Sequence, residues 1–326
     1  KSEDRLFLAR HDDDLVSRWQ ALNVASTEAL IEAVNLLRGG RVARFDPKLF
    51  AIFGEISGNE KLEPAFRALT ITLPLEGDIA REIGRNVDPG AVFAARNALI
   101  RETATANAGV FATVMETMRS SEAFSPDAAS AGKRALKNVL MDFLSTASGE
   151  PSFAAEEFTA ATNMTDRLAA LAVLCLRFAE TPETCRALAA FEKRHGQDSL
   201  TMDKWFAAQA MIPGPKTLEH VIGLTKHHAF SFANPNRMRS LIGTFATSNP
   251  TGFHREDGAG YRYLSDFVLG LDKNNPQTAA RILTAMRSWR SLEAGRREHA
   301  RQALAAIASV PSLSPDVRDI VDRILA

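Results

Sequence analysis

The sequence is poor in the features that usually announce a function. Among its 326 residues there are two cysteines, Cys175 and Cys185. Two thiols ten residues apart in an Ala/Leu-rich helical stretch do not make a disulfide framework. They read as small buried side chains in a reducing compartment. Net charge is missing too: 39 Lys plus Arg stand against 39 Asp plus Glu. Without a long-range positive field or a local Lys/Arg block, the chain is not expected to bind nucleic acid or an anionic membrane surface. No long hydrophobic run is present, since the most apolar stretch, Leu168 to Leu176, falls well short of the ~20 residues that cross a bilayer. The opening KSEDRLFLARHDDD has no apolar signal core and no small-residue cleavage site. These features lead to the expectation of a cytoplasmic protein with no membrane partner. The chain starts at Lys1 without a Met, as expected after processing or for a portion of a longer protein.

Alternating β-branched runs are nearly absent as well, the best being Leu69 to Leu75 (LTITLPL). Apolar residues instead recur at helical spacing almost everywhere, which predicts an all-α fold. The last segment illustrates the pattern. Ser314 caps, Pro315 occupies the first turn, and Val317, Ile320, Val321, Ile324 and Leu325 form one stripe. Ser125-Pro126-Asp127 and Asn275-Pro276 are comparable start signals, the second preceding Ile282, Leu283, Met286 and Trp289. A dozen or more helices joined by short Gly/Pro/Asn/Asp turns suit antiparallel pairs stacked into a curved superhelix of the HEAT/ARM solenoid kind. No repeat is legible at residue level. The Ser/Ala/Pro-rich stretch 119–135 is either a seam between two helical layers or a long interhelical turn.

Catalytic motifs are missing. The seven histidines include no H-x-x-x-H pair, and no G-x-S-x-G, P-loop or G-x-G-x-x-G after a strand is present. His227 and His228 are adjacent; on a helix their rings would diverge by about 100°, so no metal site is expected there. Asp12, Asp13 and Asp14, just before Leu15 and Trp19, read as a helix cap.

The most distinctive stretch is 231–263, with two Asn-Pro breaks, a short helix and a glycine-rich loop. Met238, Leu241, Ile242 and Phe245 share one face and predict core. Arg239 and Gly243 lie on its flank, where a guanidinium could meet a backbone carbonyl or a carboxylate, or where Arg237 and Arg239 are simply solvated. The loop 251–261 carries His254, Glu256 and Asp257 and is either an anion cradle or a packed loop. On the next helix Gln277, Arg281, Thr284 and Ser288 form a polar stripe that could hold a peptide backbone, each charge-assisted bond contributing about 1.5–3 kcal/mol.

Several blocks together, FLARHDDDLVSRW (7–19), TNMTDRLAAL (162–171), MDKWFAAQA (202–210), NPNRMRSLIGTFATSNPTGFHREDGAGY (234–261) and NNPQTAARIL (274–283), resemble the C-terminal helical domain of bacterial enzymes of the aminopeptidase N family, the M1 zinc metallopeptidases. The similarity runs in the family's order from the first residues to the last. It implies that 1–326 is a C-terminal α-superhelical domain that closes over a chamber and controls peptide access, with the parent's catalytic domain and peptide substrates as partners. The family's H-E-x-x-H helix and G-A-M-E-N segment are absent from the chain, so the resemblance implies no catalytic residue, no metal and no cofactor here, zinc belonging to the parent's catalytic domain. It makes Arg239, Gln277 and Arg281 candidates for peptide or interdomain contact, with Arg237, His254, Glu256 and Asp257 as weaker ones. The fragment alone is expected to be inactive. The helical pattern by itself would favour a free-standing α-solenoid adaptor that binds peptides or proteins.

Overall fold

The computed structural model describes residues 2–120 and 123–326, so Lys1 and, within the 119–135 stretch, Ser121 and Glu122 lie outside the described residues. The α-helices are α1 (Ser2–His11), α2 (Leu15–Arg38), α3 (Pro47–Gly58), α4 (Pro64–Ile71), α5 (Glu76–Ile83), α6 (Pro89–Met118), α7 (Ala128–Ser148), α8 (Ser152–Ala160) and α9 (Met164–Arg177). They continue with α10 (Pro182–His195), α11 (Ser199–Ala210), α12 (Thr217–Leu224), α13 (Pro235–Met238), α14 (Thr244–Ser248), α15 (Pro250–Phe253), α16 (Ala259–Asp272), α17 (Pro276–Leu283), α18 (Ala294–Ala308) and α19 (Pro315–Leu325). Among the described residues the only extended pairing is an isolated parallel bridge between Val87 and Leu292. The all-α expectation holds. The best β exception, Leu69 to Leu75, is the end of α4 and its exit, where the Thr72 hydroxyl donates to the Ala68 carbonyl.

The chain forms two compact units, one of residues 1–82 and 91–187, the other of 83–90 and 188–326. The described residues of the 119–135 stretch belong to the first unit; those between α6 and α7 are mostly exposed, and the rest form the first turns of α7. The start signal before α7 acts through Asp127, which accepts from the Ser130 N–H, two residues after the Ser125 that opens it. Elsewhere the caps fall where the pattern puts them: Asp14, Asn275 and Ser314 accept from the first turns of α2, α17 and α19, satisfying N–H groups that have no intrahelical partner.

A recurring element does appear, in the arginines. Arg18, Arg67, Arg167 and Arg318 each occupy the fourth position of their helix, four residues after the cap at Asp14, Glu63, Asn163 or Ser314. Each guanidinium reaches back to a carbonyl at the end of the preceding helix. Arg18 donates to Ala9 at 3.1 Å, Arg67 to Ser57, Arg167 to Ala161, and Arg318 to Ala308 and Val310 at 2.6 Å each. Helix C-termini leave carbonyls unpaired and carry the negative end of the dipole, so a cation one turn into the next helix satisfies both and fixes the turn between them.

The cores are aliphatic and aromatic. In the first unit Phe53, Phe111 and Phe143 meet edge-on or tilted. In the second, Phe245, Phe253 and Tyr261 do the same, and Val317, Val321 and Ile324 bury the stripe of α19. Cys175 is buried as expected, but Cys185 is exposed, because it falls on the outward face of α10.

Candidate functional site

The stretch 231–263 lies wholly in the second unit. Asn234 and Asn249 cap α13 and α15 just before their prolines, and the chain between them is continuous helix with a π turn at Arg239–Gly243. A π turn widens the helix locally and rotates the side chains that follow. Met238, Leu241, Ile242 and Phe245 are nonetheless fully buried, as the spacing predicts.

The two arginines of this segment separate. Arg237 is buried, and every nitrogen of its guanidinium is engaged. Nε donates to Asp203 at 2.6 Å, Nη1 to the Ala229 carbonyl, and Nη2 to the carbonyl and hydroxyl of Ser199 at 3.2 and 3.3 Å. The guanidinium also lies 4.8 Å from the Phe206 ring centre. Solvated it is not: Arg237 holds α11, the loop after α12 and α13 together. Arg239 is exposed and, among the described residues, donates only to its neighbour Asn236. A Cβ added at Gly243, one turn on, would lie 3.7 Å from the Arg239 Cβ, an ordinary contact distance.

Gln277 and Arg281 project from α17, which packs against the π turn. Both are exposed, and among the described residues neither side chain has a hydrogen-bond or ion-pair partner. The helix is shorter than its apolar pattern suggests. It ends at Leu283 and tightens into a 3₁₀ turn over Thr284–Met286, so Thr284 and Ser288 do not continue a single α-helical stripe, although Met286 and Trp289 are still buried.

The glycine-rich loop is packed. Gly258 adopts φ +70° directly against His299, and Gly260 sits so close to α15 that a Cβ would lie 2.0 Å from the Phe253 carbonyl oxygen. Asp257 makes paired bonds to Arg255 and accepts from the Ala259 N–H at 3.0 Å, where it serves the start of α16. Glu256 is exposed, 3.4 Å from Arg296. Arg296 is buried and also bonds Glu293 and the His254 carbonyl. The His254 Nδ1 lies 2.8 Å from the Tyr261 hydroxyl. Burial, and secondarily the Arg296 charge, push His254 down to about 4. His254, Arg255, Glu256, Asp257 and Arg296 line a cleft of about 390 Å³ together with Gly90, Pro215, Pro250 and Thr251. His254, Glu256 and Asp257 thus border one cleft without forming a shared proton-transfer contact.

One arrangement was not foreseen. His227 and His228 are not helical; they occupy the bend after α12, and their rings come together, centroids 4.3 Å apart, beside Glu192 of α10. The signal for this was the Thr-Lys-His-His break after Leu224, which ends the helix on which the rings would have diverged.

A family model described as a domain of unknown function (DUF3458_C) with ARM repeats matches residues 2–326. The chain belongs to this family. It is 34% identical over 328 residues to the aminopeptidase N of Caulobacter vibrioides, covering all of this chain and 37% of that protein. With the aminopeptidase N of Escherichia coli it is 35% identical over 326 residues, covering 98% of this chain and 37% of the relative. The chain therefore spans little more than a third of these relatives' length, and it corresponds to their C-terminal region. A crystal structure of Legionella pneumophila aminopeptidase A in complex with aspartic acid superposes with a TM-score of 0.89 at 26% identity, over all of this chain and 38% of that one. No described helix is long and apolar enough to cross a membrane. The zinc motif of the resemblance does not fit the residues present: H-E-x-x-H is absent, and Glu192, His227 and His228 come from a helix and a separate bend.

Proposed function

We propose that residues 1–326 form the C-terminal helical domain of a cytoplasmic zinc aminopeptidase, where they close over the substrate chamber and govern peptide access and position. The catalytic domain and the peptide are the partners. Zinc, held by the catalytic domain, supplies the hydrolytic chemistry, and this chain contributes no group to bond cleavage.

The observation that carries the reading is the free polar face of α17 beside the π turn. Gln277 and Arg281 are exposed and unpartnered among the described residues, and Arg239 is satisfied only by its neighbour. Donors left open on a folded surface are available to a peptide carbonyl or carboxylate. A few such bonds, about 1.5–3 kcal/mol each before the cost of ordering the ligand, orient a peptide without reacting with it. The full coverage of this chain by only a third of an aminopeptidase N supports the same reading.

The first experiment is hydrolysis of Ala-p-nitroanilide by this chain, with and without added zinc, beside the full-length enzyme. The chain is expected to be inert, and turnover by it would falsify the accessory role. In the full-length enzyme, Arg281→Ala and Arg239→Ala should raise KM for peptides more than for the one-residue chromogenic substrate, because only peptides reach remote contacts. Equal changes for both substrates would remove these arginines from the chamber.

A further inference from the structure

We propose that Glu192, His227 and His228 form a binding site for a divalent cation of the zinc class. The inference is independent of the aminopeptidase reading. Two imidazoles and one carboxylate are the donor set that borderline divalent ions select. Their ligand atoms all lie within 4.8 Å of one another, with His227 Nε2 at 2.9 Å and His228 Nε2 at 3.9 Å from the same Glu192 oxygen, Oε1. An ion about 2.0–2.2 Å from each of three tetrahedral ligands separates them by about 3.3–3.5 Å. The observed separations straddle that value, so side-chain adjustment is enough to bring the three onto one ion.

The backbone explains why adjacent histidines converge. After α12 the chain makes successive turns, the His227 N–H donating to Leu224 at 3.1 Å and the Phe230 N–H to the His227 carbonyl at 2.8 Å. The helical divergence of neighbouring side chains is lost, and the rings face each other tilted by 36°. His227 is then fixed from behind. Its ring centre lies 5.1 Å from Trp205 and 5.6 Å from Phe206, and the Trp205 indole is itself anchored to the Leu188 carbonyl at 3.0 Å. A hydrogen bond between His227 and Glu192 accounts for two of the three groups. It does not account for His228, whose side chain is 76% exposed yet is held over the same carboxylate oxygen at a distance too long for a hydrogen bond. That open side leaves room for water as a fourth ligand.

Binding has a proton consequence. The Ala229 N–H donates to His227 Nδ1 at 3.2 Å, which places the proton of the neutral ring on Nε2, facing Glu192. A cation on Nε2 moves that proton to Nδ1 and displaces the Ala229 N–H, with no net change in protons bound by the ring. The Ala229 amide is therefore a reporter for occupation of this site.

The test is titration of the 326-residue chain with Zn²⁺, and with Co²⁺ as a spectroscopic probe, against His228→Ala. His228 is exposed, so this variant should fold; Glu192→Gln is the second variant. The expected result is one more bound equivalent in the parent chain than in either variant, or an affinity at least about tenfold higher. Intense visible Co²⁺ bands of a four-coordinate site and a shift of the Ala229 amide resonance should accompany it. Equal metal content and affinity in all three proteins would overturn the proposal, as would metal binding that leaves the Ala229 amide unmoved.

Discussion

The Tyr261 hydroxyl and His254 Nδ1 lie 2.8 Å apart, and both groups are held neutral. Burial raises the Tyr261 phenol, and burial followed by the Arg296 charge lowers His254 from 6.5 to about 4. A histidine whose native pKa is depressed binds fewer protons folded than unfolded, so its contribution is complete above the unfolded value and lost as pH falls toward the folded one. Stability should therefore be insensitive to His254 above about pH 6.5 and decline between there and about pH 4. Because the side chain borders an open cleft, the loss should be about 1–3 kcal/mol rather than the larger figure of a sealed site. Urea unfolding across this range measures it. His254→Gln should flatten that part of the profile, and an unchanged slope would show that other groups set it.

Arg237 and Arg239 are two residues apart and should behave as opposites. Arg237→Met strands the Asp203 carboxylate, 13% exposed, and two backbone carbonyls, and should cost about 3–5 kcal/mol. Arg239→Ala removes an exposed contact within its own turn and should change stability by less than about 0.5 kcal/mol. Comparison of denaturation midpoints decides the matter. Similar losses in the two variants would contradict this division of roles.

Much of this was legible in the sequence because helical periodicity and caps are local. Val317, Val321 and Ile324, the Asp14 and Ser314 caps, and the buried face Met238, Leu241, Ile242, Phe245 all follow from spacing alone. The fate of Arg237 did not, because it depends on Asp203, Ser199 and Ala229, more distant in the chain. The arginine clamps were hidden for another reason. What recurs is a single cap and an arginine four positions later, embedded in helices of different length and composition, so no window of sequence looks like another. Cys185 and the histidine pair were misread for a shared reason: which face a residue presents depends on where its helix ends and what covers it.

Helix α16 carries two glycines that should respond to alanine in opposite directions. At Gly260 the new Cβ would meet the Phe253 carbonyl at 2.0 Å, and since that atom belongs to backbone, α15 or α16 must move; a loss above about 3 kcal/mol is expected. At Gly270 a Cβ would have no neighbour within 4 Å on an exposed helical face. There alanine should stabilise by about 0.5–1 kcal/mol through helix propensity. Thermal unfolding of the two single variants gives the signs directly, and a tolerated Gly260→Ala would mean that the approach of α15 to α16 is looser than described.

The two thiols give a direct probe of the packing of α9. Burial pushes the Cys175 thiol up to about 12, whereas Cys185 is exposed on α10. Only a thiolate attacks a disulfide reagent, and at pH 8 about 10⁻⁴ of a thiol with so high a pKa is ionised, before any steric barrier is counted. Dithionitrobenzoate should therefore titrate one thiol promptly in the native protein and two in denaturant, with the prompt reaction abolished by Cys185→Ser. The slow thiol should follow the opening of α9 as urea is raised below the global midpoint. If both thiols react promptly without denaturant, then α9 opens readily, and the clamp of Arg167 on the end of α8 does not hold the two helices together as its geometry requires.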